Sequence, residues 1–168
     1  QPGIFCLDAG VEEIHKLFEH RSWTIQLNGN SLDLKVDRLD MKTTNLNVWE
    51  KTFHYSIWNW QALNEENWRQ YQALDSMMEK IAMLEKILTG NILSFAKGID
   101  WHIEQPVKVV IKDLKLERDS RMKDIKVRTF EVDFRTNVYL PDFLGLGKGV
   151  SKGFGTVRHN RKKETEQA

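Results

Sequence analysis

Two lysines and a serine sit in a stretch made largely of glycine, Gly145-Leu146-Gly147-Lys148-Gly149-Val150-Ser151-Lys152-Gly153-Phe154-Gly155, which holds five of the chain's ten glycines. Residues without a Cβ let a backbone approach a ligand closely and turn its amides toward it. Ammonium groups beside such amides suit an anion, and a nucleic-acid phosphate is the anion this pairing fits. The surrounding charge agrees. Between Asp142 and Glu164 no residue is acidic, whereas Lys148, Lys152, Arg158, Arg161, Lys162 and Lys163 are all cationic. The candidate binding residues are therefore Gly145, Gly147, Lys148, Gly149, Ser151, Lys152, Gly153, Gly155 and Arg158.

Familiar phosphate and hydrolase motifs do not account for the loop. A Walker loop needs Lys followed by Ser or Thr, but Lys148 and Lys152 are each followed by glycine. A dinucleotide fingerprint needs a third glycine where Val150 or Lys152 stands. Gly149-Val150-Ser151-Lys152-Gly153 has the form of a nucleophile elbow, which requires an acid and then a histidine further along. Here His159 comes first and only Glu164 and Glu166 follow.

What remains is Gly-apolar-Gly, five residues including the lysines, then Gly-apolar-Gly. That pattern resembles the glycine-rich loop of the CRISPR-associated RAMP superfamily. Thr136-Asn137-Val138-Tyr139-Leu140-Pro141 before it, Thr156-Val157 after it, and the helical run Glu85–Gly98 resemble the b-type branch of the repeat-RNA-processing endoribonuclease of class 1 CRISPR systems. The likeness covers about residues 40 to 158. It implies tandem ferredoxin-like domains and cleavage of CRISPR repeat RNA without a metal. In that chemistry the ribose 2′-hydroxyl attacks the adjacent phosphate, leaving a 5′-hydroxyl and a 2′,3′-cyclic phosphate. The implied partners are repeat RNA, the processed guide RNA and other CRISPR effector subunits. A noncatalytic RAMP subunit that only holds RNA is the alternative. An RRM-like binder outside CRISPR biology is disfavoured, because no RNP1-type aromatic strand is present.

Composition sets the outer limits. The net charge is only +1, so basic character is local to the loop and the residues after it. Cys6 is the single cysteine, which excludes a disulfide framework and cysteine-based zinc sites. With scattered histidines and no clustered carboxylates, the expectation is no metal and no cofactor. No apolar run reaches the roughly 20 residues of a membrane span, and a cytoplasmic location is expected. The chain begins with Gln rather than Met, so it is read as processed or incomplete.

The expected architecture is α+β, with tandem ferredoxin-like (RRM-like) domains. Residues 1–46 form a partial N-terminal domain, 47–158 the C-terminal one with the glycine loop before its last strand, and 159–168 a basic tail. In the first, Gly3 to Leu7 reads as a strand, and Val11, Ile14, Leu17 and Phe18 recur at helical spacing. Trp23-Ile25-Leu27 and Leu32-Leu34-Val36 alternate about an Asn28-Gly29 turn. Strand, helix, strand, strand is the later part of a βαββαβ unit, and its opening elements are expected upstream of Gln1.

In the second domain, Trp49, Lys51, Phe53, Tyr55 and Ile57 share one strand face, opposite His54, Trp58 and Trp60. One long helix capped by Asn64 carries Trp68, Tyr71, Leu74, Met78, Ile81, Leu84, Leu88 and Ile92 as a core stripe. A strand from Val107 bulges near Lys112-Asp113, and charged residues 117 to 126 form a hairpin tip. Phe130, Val132, Phe134, Val138 and Leu140 line the next strand, with Glu131 and Asp133 as solvated carboxylates behind them. Of the loop, only Leu146, Val150 and Phe154 reach a core, and a branched side chain at Gly147 leaves the fold intact.

The reaction that the resemblance implies needs a base for the 2′-hydroxyl, an acid for the leaving oxygen and cations on the phosphate. Histidine is the natural proton carrier near neutral pH. His15 and His20 lie on or beside the small helix, His102 precedes Pro106, and His159 falls in the tail. His54 is the catalytic candidate within the second domain, expected on an open strand face between hydroxyl residues. Its plain alternative is an ordinary surface histidine. The resemblance itself implies a catalytic histidine from the first domain, in the part expected upstream of Gln1.

Overall fold

The computed structural model describes residues 10–19, 23–34, 43–122 and 125–160, and the chain divides into two compact units, Gln1–Thr44 and Asn45–Ala168. The strand expected over residues 3–7, His20 and the tail from Arg161 onward lie outside the described residues. In the first unit, helix α1 (Val11–Glu19) precedes a hairpin of β1 (Trp23–Leu27) and β2 (Asn30–Leu34). The turn forms because Asn28 and Gly29 both take positive φ, 51° and 80°, as a type I′ turn requires. Across the ladder, Thr24 Oγ1 donates to Asp33 Oδ1 at 2.7 Å.

The second unit runs β3 (Val48–Trp60), α2 (Glu65–Ala73), α3 (Met77–Gly98), β4 (Val109–Met122), β5 (Ile125–Val138) and β6 (Thr156–His159). Its sheet has the order β4-β5-β3-β6, with every neighbouring pair antiparallel. The first strand therefore lies between the third and the last, as in a ferredoxin-like unit. The segment between β5 and β6 replaces the second helix of that pattern. Apolar positions two apart on β3 and β5, namely Tyr55, Ile57, Phe130, Val132 and Phe134, meet Leu84, Leu88 and Ile92, four apart on α3. All eight are 0–1 % exposed. Inside this core the Leu140 amide donates to Tyr55 Oη at 2.8 Å.

Three expectations require correction. The single long helix is two, because Leu74 leaves α2 with an extended backbone (φ −76°, ψ 130°) and Ser76 starts α3 with a capping box. The Ser76 hydroxyl accepts from the Glu79 amide at 3.1 Å, and the Ser76 amide donates to Glu79 Oε2 at 3.2 Å. That restart takes Met78 off the stripe, and it is 80 % exposed. The charged segment 117–126 is paired ladder, with registers continuing to Met122↔Ile125. The bulge near Lys112-Asp113 is present, as register shifts on both sides of Asp113-Leu114. Finally, Asp133 is not solvated. It is 3 % exposed, accepts from Ser56 Oγ at 2.5 Å and pairs with Lys115 Nζ at 2.6 Å.

Candidate functional site

β3 changes phase just before it ends, in a register shift between Ile57 and Trp60. Asn59 absorbs it with a φ of 50°, a conformation that Asn adopts more readily than most residues. Trp60 thereby joins Ile57 on the core side, both 0 % exposed, rather than sharing the face of His54 as the alternation suggested. Four successive residues, 58 to 61, lie against β6 or the β5–β6 loop.

Gln61 forms an antiparallel bridge with Lys148. Trp60 donates through Nε1 to Asn91 Oδ1 on α3 at 2.9 Å, and Gly147 lies against the same indole. The Asn59 carbonyl accepts from the Gly155 amide at 3.1 Å. Asn59 also lines a shallow recess of about 220 Å³ with Lys152, Gly153 and Phe154. Trp58 faces Arg158, whose guanidinium carbon stands 5.1 Å from the indole centroid and 4.6 Å from the ring centroid of Phe143.

The loop folds on itself before it can meet anything else. Leu140, Leu144 and Leu146 anchor it, at 0 %, 6 % and 1 % exposure. Val150–Lys152 makes one 3₁₀ turn between Gly149 and Gly153, both in the left-handed region. The Leu146 amide donates to the Gly155 carbonyl at 2.9 Å, and the Val157 amide to the Leu144 carbonyl at 2.8 Å. The amides of Lys152, Gly153 and Phe154 also end on carbonyls of Gly149 and Val150.

These bonds change the reading of the glycines. The amides of Leu146, Lys152, Gly153 and Phe154 hold the loop's own shape, and that of Gly155 ties it to Asn59 on β3. A Cβ at Gly147, where φ is 90°, would lie 2.9 Å from Trp60 Nε1 and 3.2 Å from Asn91 Oδ1. Gly147 is thus a packing requirement, and a valine there would strain the core, contrary to the expectation that the fold is indifferent. Leu144 joins Leu146 in the core, whereas Val150 is 43 % exposed. Lys148, Ser151 and Lys152 stay exposed, with Gly147 and Gly153 beside them, while Gly145 and Gly149 are half-buried and Gly155 is buried. Arg158 is exposed on the edge strand β6.

His54 does not lie on an open face. It is 9 % exposed, on the inner strand β3, opposite Arg135 on β5. His159, read from sequence as tail, is the last residue of β6. Its ring lies 4.9 Å from that of Tyr55 and 5.7 Å from that of Tyr139, and its amide donates to Asp142 Oδ1 at 2.7 Å. Alternation along Thr156-Val157-Arg158-His159 would have revealed β6 continuing to this residue. The Arg158–Trp58 contact was also legible in principle. With Trp58 opposite Thr156, residue 158 is the diagonal neighbour on the same face.

The sequence model described as the Cas6b C-terminal domain matches residues 47–160. A solved structure titled "Crystal structure of Cas6b" is 34 % identical, covers 70 % of this chain and 68 % of its own, and superposes with a TM-score of 0.65. A second, titled as the CRISPR RNA processing endoribonuclease Cas6b, is 24 % identical and covers 95 % of both chains at a TM-score of 0.65, a likeness of fold. An uncharacterized protein of Methanocaldococcus jannaschii is 41 % identical over 98 residues, 58 % of this chain. The match spans 65 % of that curated relative's length.

Proposed function

This chain belongs to the Cas6b family, and from that premise we propose that it binds CRISPR repeat RNA and takes part in its metal-independent cleavage into guide RNAs. The observation that supports RNA binding is the arrangement around residues 58 to 61. Exposed Lys148, Lys152 and Arg158 are presented on one loop and one edge strand that both pack against the end of β3. Cations fixed on short, hydrogen-bonded elements can track a phosphate backbone at small entropic cost. In this reading Lys148 and Lys152 neutralise phosphates, and Ser151 between them offers a hydroxyl. Gly145, Gly147, Gly149, Gly153 and Gly155 act by shaping the loop that carries them.

The cleavage step would use the ribose 2′-hydroxyl as nucleophile and form the 2′,3′-cyclic phosphate with departure of the 5′-oxygen. Its base and acid need a histidine that can reach the phosphodiester. The burial of His54 speaks against that role and favours instead a histidine of the first domain, as the resemblance implies. The same burial supports a second reading, in which the unit described here is an RNA-holding subunit without chemistry of its own.

One experiment separates the two. The full chain is incubated with end-labelled repeat RNA of its own CRISPR array, with and without EDTA. A single cut that persists in EDTA and leaves a 2′,3′-cyclic phosphate supports the enzyme. Binding without a cut supports the holding subunit, and absence of binding overturns both.

A further inference from the structure

Arg158, Trp58 and Phe143 form a layered cluster that phosphate binding alone does not require. The guanidinium is 5.1 Å from one ring centroid and 4.6 Å from the other, the distances of cation–π stacking. Large aromatic rings are usually covered, yet Trp58 is 43 % and Phe143 is 41 % exposed. Phe143 also holds a φ of 68°, unfavourable for a bulky residue and maintained only where its surroundings fix it. They do so here: its amide donates to the Val157 carbonyl at 2.8 Å, between Thr156 and Arg158. A strained backbone therefore sets an exposed ring against a guanidinium.

We propose that Trp58, Arg158 and Phe143 form a stacking site for one unpaired nucleotide of the bound RNA. The rings receive the base and the edge of the guanidinium takes the adjoining phosphate. This inference rests on the RNA-binding reading and assigns that interface a single-stranded nucleotide. An A-form duplex keeps its bases stacked on one another and offers no ring face to Trp58 or Phe143. Arginine suits the middle layer better than lysine, since its planar fork stacks on a ring and still presents N–H donors along its edge. The site selects for a free base and not for its identity, because every base has a π-face.

The test is a mutant cycle with the full chain and single-stranded repeat RNA in which one nucleotide at a time is made abasic. The parent should lose about 5- to 150-fold in affinity at one position, the range that base–aromatic stacking supplies. A Trp58→Ala/Phe143→Ala variant should lose a similar factor on intact RNA and nothing more on the RNA abasic at that position. Arg158→Lys keeps the charge and removes the planar fork, and should weaken the same step. Circular dichroism and thermal melts close to the parent's show that the variants are folded. Additive losses, or parent-like binding by the double variant, would overturn the stacking site. If Lys148→Ala/Lys152→Ala still weakens binding in that case, the loop reading survives alone. If it too binds like the parent, the RNA-binding reading fails with it.

Discussion

Replacing Gly155 by alanine tests whether the loop's glycines serve packing. Gly155 has a φ of 67°, and a Cβ there would lie 3.0 Å from the Leu146 carbonyl carbon and closer still to its oxygen. Backbone cannot swing aside as a side chain can, so the two strands of the loop must separate. The cost has three parts. The left-handed conformation costs a residue with a Cβ about 1–2 kcal/mol. Stretching the Leu146-to-Gly155 hydrogen bond, 2.9 Å in this structure, removes about 1 kcal/mol. Displacing Leu146, which is 1 % exposed, loosens core packing by about another 1–2 kcal/mol. The expected destabilisation is about 3–5 kcal/mol.

Gly153 supplies the control. Its φ is 84°, but an added Cβ would meet nothing within 4 Å. Gly153→Ala should therefore cost only the conformational part, about 1–2 kcal/mol. Urea unfolding of both full-length variants, followed by far-ultraviolet circular dichroism, measures the difference. With a slope of about 1–3 kcal/mol per molar urea, the Gly155 variant should unfold about 1 M or more below the Gly153 variant. Equal midpoints would refute the packing account and return the glycines to the role of ligand approach.

Four further outcomes are expected. Lys148→Ala/Lys152→Ala should weaken repeat-RNA binding and reduce the log–log salt slope by about 1.4, measured between ~50 and ~200 mM salt; an unchanged slope removes both lysines from the phosphate contacts. The Tyr71 phenol is held up at about 12 by burial first and then by the Glu117 carboxylate, so its contribution to stability is complete below pH 10 and lost as pH rises toward 12. Absorbance titration should show a late-ionising component that is lost in Tyr71→Phe. Ser76→Ala should cost about 1 kcal/mol by removing the α3 capping box, read in urea unfolding, and a neutral change would deny the cap any role in restarting the helix. Lys115→Met should cost about 1.5–3 kcal/mol in the same assay, since it removes the ammonium that pairs with the buried Asp133 carboxylate.

The sequence revealed those parts of the fold where one signal dominates. Alternation placed Phe130, Val132, Phe134, Val138 and Leu140 on one face, and all are 0–1 % exposed. Asn28-Gly29 set the first hairpin, and the side chain of Asn64 does cap α2, accepting from the Asn67 amide at 2.7 Å. What stayed hidden depended on local phase resets and on what covers a face. Ser76 interrupts a helical stripe whose apolar spacing continues through Met78, so periodicity alone runs past the break. Asn59 shifts Trp60 by one position, and a one-residue slip exchanges faces. The enclosure of His54 and Asp133 depends on the covering of a polar sheet face, which no local pattern reports. In the loop, composition identified the segment, but the partners of each amide are a property of the folded turn.

The loop's internal bonds bear on how it would recognise RNA. An anion cradle of free amides reads a phosphate through fixed dipoles and depends weakly on salt, whereas lysines and an arginine release counterions and depend on it strongly. At five positions the loop's amides are already donors within the protein, and the exposed groups around them are Lys148, Lys152 and Arg158. Glycine here permits a backbone path compact enough to pack beneath Trp60 and beside Leu146, and that path places the cations. The two kinds of substitution should then separate cleanly. A Lys148 variant alters the salt slope and leaves stability nearly unchanged, because its side chain is exposed. A Gly147 or Gly155 variant alters stability first and loses RNA only as the loop loses its shape. If Gly147→Ala instead kept the parent's unfolding midpoint while abolishing RNA binding, close backbone approach would be the glycine's purpose and the packing argument would be wrong.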